Sequence, residues 1–278
     1  MWRKTVVWAL VLPALTFLVA CGDGSSHDGD TDETTDDDTA DDDNDDGDDD
    51  LALGMAYVPA GPFFMGCPED SDFPNCGPFP EHEVDLPAFY IDIEEVSVAD
   101  YVRCEDAGAC EEVSSFMHVI ADDYPAQCIS WYSAGDYCEW AGKRLPTSEE
   151  WEKAARGPDG GHRFAWGDEW EPTFANWCDG VDCDGSVDGY DGVAPVDAFP
   201  ENLSPYGVHN MTGNMLEWTS TPSTASGHPD DFVIRGGSFE PPNGMGSPEQ
   251  ALQTWVVNVD APYFWPPHIG VRCAMDAE

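Results

Sequence analysis

The sequence predicts an α+β fold with much irregular structure, braced by disulfides. Three observations support this fold class. Short apolar segments separated by turns lie between residues 57 and 93, and three capped helix patterns lie between residues 97 and 157. Beyond residue 157, Gly, Pro, Asp and Trp dominate and little periodicity remains. A domain with so few regular elements needs further bracing, and its cysteines can supply it.

Four strands are predicted in the N-terminal part of this domain, at 57–59, 63–65, 83–86 and 89–93. Three helices follow, and each begins at a residue that can cap the first backbone amides. The caps are Ser97 with Asp100, Ser130, and Thr147 with Glu150. A later strand is predicted to end at Val233 and Ile234, where Gly236, Gly237 and Ser238 open a loop.

Residues 1–20 have the pattern of a lipoprotein signal peptide. Arg3 and Lys4 precede an apolar run that is too short to span a membrane comfortably, and small residues lead to Cys21. We expect lipidation at Cys21, with an ordinary secretory signal as the alternative. The expected location is therefore an exported, membrane-anchored lipoprotein. Gly22 gives no obvious inner-membrane retention signal, so the outer membrane or cell surface is preferred.

Residues 21–54 are predicted to form an Asp-rich disordered tether after the lipidated cysteine. This stretch holds 16 acidic residues between 22 and 50 and has no Lys or Arg there, so its charges repel and little apolar surface can be buried. Residues 55–278 are then one domain, since this length can bury a single large core.

The charge of the domain excludes nucleic-acid binding, because residues 51–278 carry 40 acidic and only 8 basic residues. The expected contact with a membrane is through the lipid anchor only. The remaining partner is an unknown protein, peptide or glycan ligand.

Nine cysteines remain once Cys21 is set aside for lipid. Three pairs bracket short polar or Gly-bearing loops and suit local disulfides in an oxidising compartment. These pairs are Cys67 with Cys76, Cys104 with Cys110, and Cys178 with Cys183. Spacing alone leaves the pairing of Cys128, Cys138 and Cys273 open.

Several segments, in order, resemble the sulfatase-modifying-factor family, which includes the formylglycine-generating enzyme. They are VPAGPFFMG (58–66), FYIDIEEVSVADY (89–101), ISWYSAGDYCEWAGKRLPTSEEWEKAARG (129–157), FAWGD (164–168), APVDAFP (194–200), YGVHNMTGNMLEWTS (206–220), VIRGGSF (233–239) and IGVRCA (269–274). The resemblance implies a variant of the C-type-lectin-like fold. It also implies a disulfide between Cys138 and Cys273, which would leave Cys128 as a free thiol acting as a small buried hydrophobe.

The resemblance further implies structural Ca²⁺, a hard cation that binds oxygen ligands. The family's ligand positions are matched to this sequence one residue at a time. The first site would use Asn176, the Trp177 carbonyl, Asp188 and the Tyr190 carbonyl. The second would use Asn210, the carbonyls of Gly213 and Met215, and Glu217.

Active members of the family hold copper(I) with two cysteines placed after the GGS-aromatic motif, because thiolates suit this soft ion. In this sequence those positions are Pro241 and Gly246, and no cysteine lies between Cys183 and Cys273. Leu216 also replaces the Trp that precedes the family's conserved Glu. We therefore expect a pseudoenzyme that binds a ligand and holds no copper.

An enzyme remains the alternative interpretation, either as a divergent oxidoreductase of the family or through other residues of the same groove. The candidates in this vestigial site region are Arg235, Ser238 and Glu240, with Cys128 as a further candidate. No pair among them has a spacing that indicates mutual activation.

Overall fold

The computed structural model describes residues 54–68, 80–112, 120–178, 185, 187–224, 227–240 and 247–277. The predictions for five residues fall outside these ranges: Cys21, Cys76, Cys183, Pro241 and Gly246. Within the described part, no helix has the length and apolar character needed to cross a membrane.

The N-terminal elements form where the sequence predicts them. The strands are β1 (Met55–Val58), β2 (Gly61–Met65), β3 (His82–Leu86) and β4 (Phe89–Asp92), and the helices are α1 (Val98–Asp106), α2 (Trp131–Trp140) and α3 (Ser148–Arg156). All three predicted caps are present: Ser97, Ser130 and Thr147 each accept a hydrogen bond from the backbone amide three residues later. These caps satisfy amides that the first helical turn leaves without partners.

The C-terminal part holds more regular structure than the sequence predicts. Its elements are β5 (Leu216–Pro222), β6 (Phe232–Arg235), α4 (Pro248–Ala251), β7 (Asn258–Asp260), β8 (Ile269–Gly270) and β9 (Ala274–Asp276). Only the strand ending near Val233 and Ile234 was expected. The others are short and gain their stability from distant partners, so they leave little local periodicity in the sequence.

The strands form three sheets. Strand β4 lies between β1 and β9, which joins the two ends of the domain, and β2 pairs with β3 as a separate antiparallel pair. The largest sheet has the order β7-β6-β5-β8, in which β5 and β8 run parallel and the other pairs antiparallel. Strand β6 therefore lies between β7 and β5, so its carboxyl end is flanked by strands from distant parts of the sequence.

The two larger of three apolar clusters among the described residues form most of the core. One packs α1 and α2 against the largest sheet through Tyr101, Trp218 and Ile269. The other packs α3 against the β1–β4 pair, with Trp151 and Phe89 fully buried. Burial of one such aromatic side chain contributes on the order of 2–3 kcal/mol, so these rings anchor a fold that has little regular structure.

Disulfides join Cys104 to Cys110 and Cys138 to Cys273. The prediction of a free thiol at Cys128 is wrong, because Cys128 is disulfide-bonded and no described cysteine is free. Cys67 and Cys178 are bonded as well. The error arose from the cysteine count: setting Cys21 aside left an odd number, and one thiol was then assigned no partner.

Removing the Cys138–Cys273 bond is expected to destabilise the domain more than removing the Cys104–Cys110 bond. The first spans 135 residues of sequence and the second spans 6, so the first restricts the unfolded chain more. The double Cys→Ala variants should lose about 5 and about 2 kcal/mol of unfolding free energy, measured by urea denaturation. Equal losses, or the reverse order, would contradict this ranking.

Candidate functional site

The loop after β6 enters a pocket through two glycines. Gly236 and Gly237 have φ of 99° and 72°, in the left-handed region that favours glycine. A Cβ on Gly237 would also meet Leu252 Cδ2, the end of a side chain that directly follows α4. The turn directs Ser238 and Glu240 to the pocket wall.

The pocket has a volume of about 230 Å³ and mixed walls. Its apolar side includes Trp177, Leu216, Ile234, Leu252 and Val259, and its polar side includes Ser238, Glu240, Asn258, Asp260 and His268. Ligand sites combine apolar walls with a few convergent polar groups, and this pocket has both, with slightly more polar than apolar lining surface.

The polar side is organised around His268. Its Nδ1 lies 3.0 Å from Glu240 Oε2, an ion-pair contact that is not aligned as a hydrogen bond. The Glu240 amide donates to Ser238 Oγ at 3.3 Å, which holds this turn together. Burial raises the pKa of Asp260, while the Ala261 amide and His268 partly offset this effect. The pocket therefore holds two carboxylates and one imidazole.

Of the four residues predicted as candidates for an enzyme, two line the pocket and two do not. Ser238 and Glu240 line the pocket, but Arg235 does not, because its buried guanidinium pairs with Glu152 at 2.9 Å and donates to Ser148 Oγ. Cys128 is disulfide-bonded and is not a nucleophile. Cys128 was therefore wrong as a candidate nucleophile, and Arg235 is engaged away from this pocket.

Sequence reasoning missed Asn258, Asp260 and His268 as members of this pocket. Asn258 and Asp260 lie on β7, and His268 directly precedes β8. Strand pairing places Asn258 and Asp260 beside β6, since Ile234 is opposite Asn258 and Phe232 is opposite Asp260. His268 is held beside β5, where its carbonyl accepts the Leu216 amide at 3.0 Å. No local motif marks them, so only knowledge of the sheet order could have found them.

Hydrogen bonds join three residues of the first predicted calcium set. Asp188 accepts the amide of Trp177 at 2.8 Å and the amide of Tyr190 at 3.1 Å, which brings these residues together. Asn176 donates through Nδ2 to Gly192 O at 2.8 Å, and its buried Oδ1 has no hydrogen-bond partner. A buried amide oxygen without a partner is costly and is the type of ligand Ca²⁺ takes, so this set fits the ion.

The second predicted calcium set fits the ion less well than the first. Asn210 also has a buried Oδ1 without a partner, and Gly213 and Met215 lie in the same loop. Both oxygens of Glu217 are already engaged, however, by Arg272 at 2.8–3.1 Å and by Trp151 Nε1 at 2.6 Å. A calcium ion would have to share this carboxylate with a guanidinium.

A buried carboxylate that the sequence did not single out connects the two sets. Glu95 accepts Asn210 Nδ2 at 2.8 Å and Asn214 Nδ2 at 3.0 Å, and Asn214 Oδ1 accepts Asn176 Nδ2 at 2.9 Å. Burial raises the pKa of Glu95 to about 8, against the opposing effect of Arg272. Groups of three or more His, Cys, Asp or Glu suited to a metal do not occur in the described ranges.

The fold and site define a class of domain with short strands, capped helices and asparagine-rich loops, in which a pocket opens beside a Gly-Gly turn. This chain belongs to the sulfatase-modifying factor enzyme 1-like domain family, whose match covers residues 45–277.

Relatives in this family include active and inactive enzymes. The chain is 37% identical over 158 residues to inactive C-alpha-formylglycine-generating enzyme 2 of Bos taurus, covering 56% of this chain and 51% of that protein. It is 32% identical over 217 residues to the formylglycine-generating enzyme of Mus musculus, covering 60% and 57%. The chain thus spans about half the length of these curated relatives.

Among solved structures, PvdO from Pseudomonas aeruginosa superposes with a TM-score of 0.63 at 25% identity. The superposition covers 80% of this chain and 94% of that one. The predicted fold is therefore confirmed as that of this family.

Glu217→Gln is expected to destabilise the domain by about 3–5 kcal/mol, because it leaves the guanidinium of Arg272 buried without a counter-charge. The matched control is Glu249→Gln, whose partly exposed partner Arg163 lies at 3.1 Å; its loss should stay below about 1 kcal/mol. Chemical denaturation of both variants measures the difference. Similar losses would show that the buried pair has no special structural role.

Proposed function

We propose that this domain is a non-catalytic ligand-binding module and that the pocket beside the Gly236–Gly237 turn is its binding site. The observation that carries the proposal is the identity of the residues at the family's copper positions, Pro241 and Gly246. Neither side chain ligates a metal, and copper(I) requires soft ligands. The name of the bovine relative shows that this family includes a protein described as inactive.

The pocket supports binding because its chemistry suits recognition. Trp177, Leu216 and Val259 provide apolar contact, while Glu240 and Asp260 provide fixed polar groups at one side. Apolar walls supply affinity and a few placed polar groups supply orientation. Leu216, at the position of the family's Trp, forms part of the apolar wall.

A second candidate function is an enzyme that uses the Glu240–His268 pair as an acid–base group. The 3.0 Å separation favours this candidate, because a carboxylate near an imidazole can orient it and stabilise its protonated form. Nucleophilic catalysis also needs a group activated by that base. Ser238 Oγ accepts a hydrogen bond from the Glu240 amide, and among the described residues no hydrogen bond joins it to His268, so we favour binding.

The proposal extends to how the domain is presented. An exported chain with lipid on Cys21 and an acidic tether to residue 54 would hold the pocket away from the membrane surface, because like charges extend the tether. The basis for this part is the sequence pattern of residues 1–54.

Structural calcium is also part of the proposal. The first set, with the unpartnered Asn176 Oδ1 beside Asp188, would hold the ion and order the loop around Tyr190. A single ion per domain is expected there, because Arg272 already neutralises Glu217 of the second set.

The purified full chain, supplied with copper(I) and oxygen, is expected to leave the cysteine of a sulfatase-type peptide unoxidised. The reason is that neither of the family's copper positions, Pro241 and Gly246, holds a cysteine. Mass spectrometry of the peptide measures aldehyde formation, with the mouse formylglycine-generating enzyme as the positive control. Turnover by this chain would overturn the non-catalytic proposal.

Calcium is expected to raise the melting temperature of the wild-type chain, and Asn176→Ala is expected to abolish most of that rise. Asn202→Ala is a matched control, since it also removes a buried amide whose Oδ1 has no hydrogen-bond partner but lies outside both predicted sets. Differential scanning calorimetry with and without calcium compares the rises rather than the absolute stabilities. A full rise in the Asn176 variant would exclude the first set.

A further inference from the structure

A loop with three consecutive exposed aromatic rings borders the pocket. We call residues 261–267 the aromatic loop. Tyr263 is 71% exposed, Phe264 53% and Trp265 39%. Single exposed apolar residues are common on protein surfaces, but a contiguous group of large aromatics is typical of an interaction site.

The backbone of the aromatic loop is held in place. Phe264 N donates to Ala261 O at 2.9 Å, and Trp131 N at the start of α2 donates to Pro262 O at 3.1 Å. The ring of Trp131 in turn stacks on Phe232 of β6 with centroids 4.0 Å apart. The exposed rings are therefore presented by a supported loop, which lowers the entropy lost on binding.

The aromatic loop is continuous with the pocket. It begins directly after Asp260 and ends directly before His268, and both of these residues line the pocket. Tyr132, 55% exposed, adds a fourth ring on the first turn of α2, next to the backbone contact with Pro262. A ligand seated in the pocket would thus extend over the aromatic loop.

The charges around this surface favour a ligand of one sign of charge. The described residues that line the pocket include the carboxylates of Glu240 and Asp260 and no Lys or Arg. Asp231 lies close enough to Asp260 to act on its ionisation. His268 is the cationic group of this surface when protonated. An anionic ligand would meet repulsion here, while a cationic ligand would meet carboxylates beside aromatic faces.

We infer that the pocket and the aromatic loop together bind an Arg- or Lys-bearing segment of a partner protein. The cationic side chain lies against Glu240 and Asp260, and the rings of Tyr263 and Trp265 pack on its aliphatic stem and charged group. This inference rests on the proposed binding function and names the ligand class of the same site. Binding is non-covalent and requires no metal.

Calorimetric titration of the full chain with a short peptide of alternating arginine and glycine tests the inference. Matched probes carry lysine or glutamate in place of arginine, and cellohexaose represents a glycan. Tyr263→Ser/Phe264→Ser/Trp265→Ser and Asp260→Asn are each expected to weaken binding of the arginine peptide by roughly tenfold at about 0.15 M salt. The same variants should also weaken binding of the lysine peptide, and the glutamate peptide should not bind.

The control variant is Tyr57→Ser/Phe64→Ser, which removes two exposed aromatics from β1 and β2, away from the pocket. It should change the affinity by less than about twofold. Any binding of the basic peptide to the acidic residues 22–50 is the same in every variant, so the difference between variants reports the aromatic loop. Near-ultraviolet circular dichroism checks that each variant is folded.

The inference is overturned if the loop variant binds the arginine peptide as tightly as the wild type does. It is also overturned if cellohexaose binds the aromatic loop while the arginine peptide does not; the pocket would then remain a ligand site with a different ligand class. Oxidation of the thiol peptide would instead overturn the non-catalytic function without changing the titration result, so the two failures are distinguishable.

Discussion

The buried contact between Arg272 and Glu217 joins the separate parts of this domain. The guanidinium pairs with the carboxylate on β5 at 2.8 Å, and it donates to the carbonyls of Asp92, Ile93 and His209, also at 2.8 Å. Glu217 accepts Trp151 Nε1 of α3 in addition. One ion pair thereby links the end of β4, the loop near residue 209, the largest sheet and a helix. Because both side chains are fully buried, each depends on the other for its stability.

The internal contacts of the basic residues determine the net charge of the surface. All eight basic residues of 51–278 make contacts within the domain: Arg103 with Asp100, Lys143 with Asp92, Arg144 with Glu150, Lys153 with the carbonyls of Pro59 and Gly61, Arg156 with Glu152, Arg163 with Glu249, Arg235 with Glu152, and Arg272 with Glu217. With every cation engaged and 40 acidic residues present, most acids remain uncompensated. This excess of acidic residues is the basis for the proposed preference for a cationic partner at the pocket and the aromatic loop.

Local signals in the sequence were sufficient for the N-terminal half of the fold and insufficient for the site. The caps at Ser97, Ser130 and Thr147 act within four residues, so their pattern is readable in one dimension. The pocket depends on pairing between β6 and β7, which brings Asp260 opposite Phe232 and Asn258 opposite Ile234, and no short motif encodes that pairing. Glu95 was missed for the same reason, since its partners lie more than a hundred residues away. The error at Cys128 had a different origin, because an odd count of cysteines does not say which one lacks a partner.

The central claim is that this chain keeps the fold of its family while lacking the means to hold the family's copper. Elemental analysis of the purified full chain, equilibrated with both calcium and copper(I) and then dialysed, tests this claim most directly. The account predicts retained calcium and no stoichiometric copper, because oxygen ligands are present at Asn176 and Asp188 and no thiolate pair is present. Copper retained at one ion per chain would contradict it.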